Sequence, residues 1–296
     1  MNWDDIRIFL AIARAGQLLG ASKRLGLNHA TVGRRLTVLE NNLRTRLVER
    51  HTNGCVLTSA GVEFLERAER MEQEMTSARA AIHKDDEEIA GTVRIGASDG
   101  FGSVFLAPRL CPLLDKYPQL KIELVPVPQS FSLSRREADI AITIGQPEHG
   151  RVVVRKLVDY SLSLFASKKY LEQHGTPMTI DDLGHHRLVG YVDDLIFSPN
   201  LHYKTEFSKT WASQFECATT VGQMEAVSAG LGIGILHDFL VQPHHQLTRI
   251  LREKSITRSY WLVFHESARH IRRVKIVSDF IHKITVRQKQ KFYISA

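Results

Sequence analysis

The residues of this 296-residue chain best suited to chemistry are glycine-rich turns, paired histidines, three cysteines and a polar cluster near the N-terminus. Gly96-Ala-Ser-Asp-Gly-Phe-Gly102 follows a β-like run and could wrap backbone N–H groups around a phosphate. Gly230-x-Gly-x-Gly234 is a weaker version, because no ribose-binding acid follows at a suitable distance. His185-His186 and His244-His245 are adjacent pairs in polar loops. Without a carboxylate or cysteine constellation they read as exposed loop histidines rather than metal ligands. Cys55, Cys111 and Cys217 are odd in number and far apart, which suits neither a disulfide framework nor a zinc site and fits a reducing compartment. No metal or cofactor is expected.

The polar cluster lies on a run of short helices. Ile6, Phe9, Leu10 and Ala13 make an amphipathic stripe that ends at Gly16. A second helix turns Leu18, Ala21 and Leu25 inward, and Gly26-Leu27-Asn28 forms a tight turn whose Asn28 caps a third helix. That helix buries Val32, Leu36, Leu39 and Leu43 and presents Ala30, Arg34, Thr37 and Asn41 on its other face. Small Ala30 and Gly33 permit close approach to base edges in a major groove. Arg34 can fork onto guanine or a phosphate, and His29 and Thr31 add hydrogen bonds. A small helical bundle with a solvated basic face would have the same periodicity.

The detail from residue 27 to residue 61 distinguishes these readings. Val32 and Arg34, Leu39-Glu40, Leu47 and Arg50, and Leu57-Thr58 with Gly61 follow one another in a pattern that resembles the DNA-binding region of LysR-type transcriptional regulators. The resemblance implies a winged helix-turn-helix. Base and phosphate contacts would come from His29, Ala30, Thr31, Gly33 and Arg34, a phosphate contact from Arg35, and wing contacts from Arg50 and Asn53. Gly33 stands where many members have Ser, and Arg44 where Gly commonly ends the helix.

From Ser59 to about His83 there is no proline. Leu65, Ala68, Met71, Met75, Ala78 and Ile82 recur at 3-3-4-3-4 spacing, close to a coiled-coil seam, while Glu63, Glu69, Glu72 and Glu74 occupy solvated faces. The same family dimerises through a linker helix here, so the seam is expected to join two copies. Ala90-Gly91 reads as a hinge.

Beyond it, strands alternate with helices: β runs at 92–97, 122–127, 139–144, 161–166, 187–192 and 260–264, and helices at 102–116, 221–229 and 271–284. The pattern predicts an α/β architecture with largely parallel sheets. Gly91-Thr-Val-Arg-Ile-Gly96, Ala138-Asp-Ile-Ala-Ile142 and Val227-Ser-Ala-Gly-Leu-Gly-Ile233 resemble segments of the family's effector domain. That resemblance implies a two-lobed fold like that of periplasmic binding proteins. The expected organisation is a winged helix-turn-helix domain at 1–60, a linker and hinge at 61–90, and an effector domain at 91–296. Lobe one would hold about 91–161 and 267–296, and lobe two about 162–266. Ligand contacts are expected from Ser98, Gly102, Ser130, Thr143, Gln146 and Thr219, near strand ends and helix starts. For the hydroxyls an ordinary turn or cap role competes. Asp99 could cap the helix after it; facing the cleft, it would oppose an anionic ligand.

The glycine turn at 96–102 is also similar to the nucleotide loop of short-chain dehydrogenases, which is the competing enzyme reading. Those enzymes need a distant Tyr-x-x-x-Lys, and the spacing occurs here only at Tyr117 and Lys121, around Pro118 and too close. No Ser/His/Asp arrangement has motif support either, so the chain is not expected to be an enzyme.

Charge distribution agrees with this division. The chain has 39 Lys+Arg against 32 Asp+Glu, a net charge of +7. Residues 1–60 carry +5, residues 61–90 carry −5 and the remainder +7, nearly all of the last within 269–296. Hydrophobic residues at 43% and charged residues at 24% exclude a disordered or collagenous chain. No apolar run approaches a membrane span, and the first ten residues lack a signal peptide's basic start. The expectation is therefore a cytoplasmic regulator whose partners are double-stranded promoter DNA, a small-molecule effector and a second copy of itself, as homodimer or homotetramer, with RNA polymerase as a further candidate and no membrane.

Overall fold

The computed structural model describes residues 2–51, 54–82, 89–126, 138–147, 151–196, 198–241 and 246–293. Two compact units divide the chain, one in its first 87 residues and the other in most of the remainder.

In the first unit, α1 (Trp3–Ala15) starts where the Asn2 side chain accepts from the Asp4 N–H at 3.0 Å, and ends at Gly16 in a left-handed cap. Helices α2 (Leu18–Leu25) and α3 (His29–Leu43) follow, then the antiparallel wing strands β1 (Val48–His51) and β2 (Gly54–Leu57), then the long α4 (Ser59–Ile82). Ile8, Phe9, Leu10, Val32, Leu36 and Leu39 are fully buried at their centre. Each such side chain contributes about 1.5–3 kcal/mol when removed from water.

Two parts of the sequence signature prove to be scaffold. The Glu40 carboxylate accepts the Leu47 and Val48 N–H groups at 2.8 and 3.1 Å, tying the end of α3 to the wing. The Thr58 hydroxyl donates to the Arg46 carbonyl at 2.8 Å and accepts from the Gly61 N–H at 2.9 Å. Gly61 is required because a Cβ there would overlap the Leu47 carbonyl oxygen.

The linker helix departs from the expected seam. Ala68 is fully buried and Leu65 half-buried in the core of the head, whereas Met71, Met75 and Ala78 are exposed. The Ile82 side chain lies outside the described residues. The first two seam positions are thus used within the chain, because α4 starts directly beneath α1, where Phe64 meets Phe9 edge-on at 5.2 Å. The solvated face also differs. Glu69 and Glu72 turn back to Arg14, with Glu72 at 2.6 Å.

The second unit is built on one eight-stranded sheet. Its strands are β3 (Gly91–Ala97), β4 (Leu120–Pro126), β5 (Ile140–Ile144), β6 (Val152–Ser167), β7 (Leu188–Gly190), β8 (Phe215–Glu216), β9 (Ile233–His237) and β10 (Leu247–His265), in the order β4-β3-β5-β10-β6-β9-β7-β8. Its α-helices are α5 (Cys111–Lys116), α6 (Lys168–His174), α7 (Lys204–Phe207), α8 (Thr220–Ser228), α9 (Asp238–Val241) and α10 (Arg272–Arg287). The expectation of largely parallel sheets is corrected to a mixed sheet. β3 pairs in parallel with β4 and β5, and β7 with β8 and β9, but β10 and β6 run antiparallel to each other and to their outer neighbours. These two strands, 19 and 16 residues long, run through both lobes. The polar residues within them interrupt the hydrophobic pattern, so the sequence reads only their apolar ends as strands. The register of the pair shifts twice, between Ile250 and Ser255 and again at Tyr260 and Trp261.

The helical stretch after β3 opens as a π-helical run, Gly100–Leu106, before tightening into a 3-10 turn and α5. The C-terminal end is not wholly solvated. Phe292 is fully buried against Phe105 at 4.7 Å and Phe239 at 4.9 Å, although Arg287, Lys289 and Lys291 are exposed.

Candidate functional site

On the first unit, the Asn28 side chain accepts from the Ala30 N–H at 2.9 Å and starts α3. His29, Ala30, Arg34, Thr37 and Asn41 are exposed along one face, with Thr31 and Gly33 half-buried beside them. The wing docks on this helix through Arg50, whose guanidinium donates to the Gly33 carbonyl at 3.4 Å. A Cβ on Gly33 would approach that guanidinium to 3.9 Å. Between the end of α3 and the wing lies an open groove of about 830 Å³, lined by Thr37, Asn41, Arg44, Arg46 and Arg50 among others. Arg44 caps α3 in the left-handed region at φ 52°. Arg35 points elsewhere: its guanidinium lies 3.4 Å from Asp5 and 3.6 Å from Asp4 of α1. Those acids compete with a phosphate for the same charge. Asn53 lies outside the described residues.

On the second unit, the expected ligand residues fall in different places. The Ser98 hydroxyl is buried at the end of β3, beside the Tyr260 hydroxyl. Thr219 is the N-cap of α8, its hydroxyl accepting from the Gly222 N–H at 3.1 Å. Gly102 is buried, and a Cβ there would press on Ala97 and Leu124, so its role is helix-to-sheet packing. The Thr143 hydroxyl donates to the Gly145 carbonyl at 3.1 Å in a turn, and Gln146 is exposed. Ser130 lies outside the described residues.

Asp99 does not cap the helix after it. Its carboxylate instead accepts from the Val221 N–H, at 2.9 Å, in the first turn of α8. Around that contact lies a buried set that sequence reasoning missed. Phe101 packs on Tyr260 at 4.8 Å, Tyr260 stacks on Tyr160 at 4.3 Å, and Tyr160 meets His237 at 4.9 Å. The series runs from lobe one, through the long strand pair, to the end of β9. Burial pushes the Tyr160 and Tyr260 phenols up, so both stay neutral. Burial pushes the His237 imidazole down to about 4, against the pull of Asp99. Asp238, also buried, accepts from the Ser161 hydroxyl. The only sequence signal was polar residues inside apolar strands, which does not reveal which of them converge. Among the described residues no three His, Cys, Asp or Glu side chains form a metal-binding group, and no helix is long and apolar enough to cross a membrane.

A DNA-sized helical face beside a wing, together with a two-lobed α/β receptor, defines a ligand-responsive transcription factor. Residues 3–62 match the bacterial regulatory helix-turn-helix protein profile of the lysR family, and residues 86–284 match the LysR substrate binding domain. The chain belongs to the LysR family of transcriptional regulators, with a DNA-binding helix-turn-helix and an effector-binding domain. It is 25% identical over 286 residues to the HTH-type transcriptional regulator CrgA of Neisseria meningitidis serogroup C strain 8013, covering 95% of this chain and 96% of that one. A full-length OxyR variant from Pseudomonas aeruginosa superposes with a TM-score of 0.74 at 18% identity, covering 95% of this chain and 94% of the other. Full-length LysG from Corynebacterium glutamicum, with bound effector Arg, superposes with a TM-score of 0.65 at 18% identity over 97% and 99% of the two chains.

Proposed function

We propose that this regulator binds partly symmetric promoter sites as a homodimer or a dimer of dimers, and that a small molecule between the lobes biases the spacing of its DNA-binding heads. His29, Ala30, Thr31, Gly33 and Arg34 would enter the major groove. Arg50 and Asn53 would follow the backbone or minor groove, and Arg35 would be a phosphate contact in competition with Asp4 and Asp5. The dimer seam on α4 starts at Met71 and continues through Met75, Ala78 and Ile82. Ser98 and Thr219 are the ligand contacts retained from the sequence reading. RNA polymerase is a further partner, the chain acts in the cytoplasm, and it carries out no catalysis.

The observation that carries this reading is the division of α3. Val32, Leu36 and Leu39 are fully buried while Arg34, Thr37 and Asn41 are exposed on the opposite face, so the exposed face contributes nothing to its own core. Ligand control requires only that the effector bind one lobe arrangement better than the other. The test is a gel-shift titration on the DNA upstream of the protein's own gene, against a scrambled sequence of equal length. Specific binding is expected to exceed non-specific binding by about 10³-fold or more. Equal affinity for both sequences would sink the proposal.

A further inference from the structure

The Asp99 contact with α8 bears on the chemistry of the effector, granted the reading of the cleft given above. Three donors in the first turn of α8 are directed to protein groups: Val221 N–H to the Asp99 carboxylate, Gly222 N–H to the Thr219 hydroxyl, and Gln223 N–H to the Thr219 carbonyl. A helix N-terminus of this kind attracts negative charge. Here that charge comes from the opposite lobe of the same chain.

The neighbourhood shows that the spot is more than a cap. Gly100 follows Asp99 directly, and a Cβ on it would lie 3.6 Å from His237 Nδ1 and 3.6 Å from the Cβ of Thr220, the first residue of α8. The His237 ring nitrogen and the start of the helix therefore both border Gly100, a residue without a side chain. His237 is 3% exposed, and Nδ1 has no hydrogen-bond partner among the described residues. The Ser98 and Tyr260 hydroxyls are buried nearby and interact with each other. Tyr191 and Tyr203 lie within electrostatic reach of Asp99. Buried polar groups, among them the unpartnered His237 Nδ1, thus surround a helix start that already holds an anion.

We propose that Asp99 is the specificity-determining residue of the interlobe cleft: its carboxylate holds the N-terminus of α8 as a resident anion, so the cleft refuses small carboxylates and takes an effector whose contacting group is a cation. An incoming carboxylate would meet like charge beside the donors it needs, and three of those donors are engaged. An ammonium group would meet a carboxylate, neutral phenols and, in His237, a neutral imidazole. Tyrosine faces attract cations as well.

The test uses the full chain and two probes, sodium acetate and ethylammonium chloride, with ionic strength held constant. The rise in melting temperature with each probe is compared in the wild-type protein and in Asp99→Ala. In the wild type, ethylammonium is expected to stabilise more than acetate. In Asp99→Ala the order is expected to invert, with acetate bound about tenfold tighter than by the wild type, the effect of freeing a helix N-terminus. Asp99→Asn keeps the shape without the charge. Should the alanine variant fail to fold, Asp99→Asn, whose amide oxygen keeps the Val221 N–H bond while losing the charge, is expected to abolish the preference for ethylammonium. Acetate preferred by the wild type, or an order unchanged by both substitutions, overturns the proposal. DNA affinity of the same variants separates the two readings: intact promoter binding with no inversion rejects the role of Asp99 alone.

Discussion

Arg14 and Glu72 form a two-pronged ion pair between α1 and α4, at 3.2 and 2.6 Å, with side chains only 10% and 18% exposed. The linker helix is therefore fastened to the DNA-binding head by charge as well as by the Phe9–Phe64 contact.

The first prediction tests that fastening. Glu72→Gln leaves the largely buried Arg14 guanidinium with a neutral partner there and only the more distant Glu69 as counter-charge, and is expected to destabilise the head by roughly 1–3 kcal/mol. The check is the melting temperature of the full chain across salt concentrations. Because the pair is mostly shielded from solvent, the difference from wild type should persist at high salt.

Arg44 offers a separation of stability from binding. As a non-glycine in the left-handed region, it carries a conformational cost of about 1–2 kcal/mol. Arg44→Gly relieves that cost but raises the entropy of the unfolded chain by about 0.4–1 kcal/mol, for a net gain of up to roughly 1.5 kcal/mol. The same change removes a cation from the groove beside α3. Affinity is expected to fall on all DNA sequences alike, with the salt slope reduced by about 1. Urea melts and salt-dependent anisotropy titrations measure the two effects.

Arg34 should behave differently. Fully presented on α3, it is expected to lose about 1–3 kcal/mol on its specific site when changed to Ala, with little change on scrambled DNA. Equal weakening on both would make it a phosphate contact instead.

His237 gives the fourth prediction. Its ordinary value of 6.5 falls to about 4 in the folded chain. Above pH 6.5 the ring is neutral in both folded and unfolded states, and the stability is complete. Below 6.5 the unfolded chain takes up a proton that the folded chain refuses, so stability is lost progressively until about pH 4. The total loss is roughly 3 kcal/mol, since each unit is worth about 1.4 kcal/mol. Melting temperature against pH should therefore decline more gently between 6.5 and 4 in His237→Gln than in wild type. Parallel curves would show that the imidazole is not the responsible group.

The order of residues by itself determined the head and its partition. Three-residue and four-residue spacing placed Val32, Leu36 and Leu39 inside and Ala30, Arg34, Thr37 and Asn41 outside, because a helix is a local structure whose faces follow from its period. The same local logic marked α8 and the start of α10. It also read charge as two basic ends around an acidic connector, but not the partners within it: Glu72 looked solvated until the fold brought Arg14, 58 positions earlier, against it. The linker seam was legible as a stripe, yet only the packing of α1 on α4 decided that Leu65 and Ala68 belong to the head. The cleft depended most on tertiary structure. Asp99 and Val221 are 122 positions apart, and Tyr160 and Tyr260 meet because two long strands lie side by side. No local period encodes such pairings. They arise when non-local strands close the sheet, so the identity of Asp99 was visible from the start while its place at the opening of α8 was not.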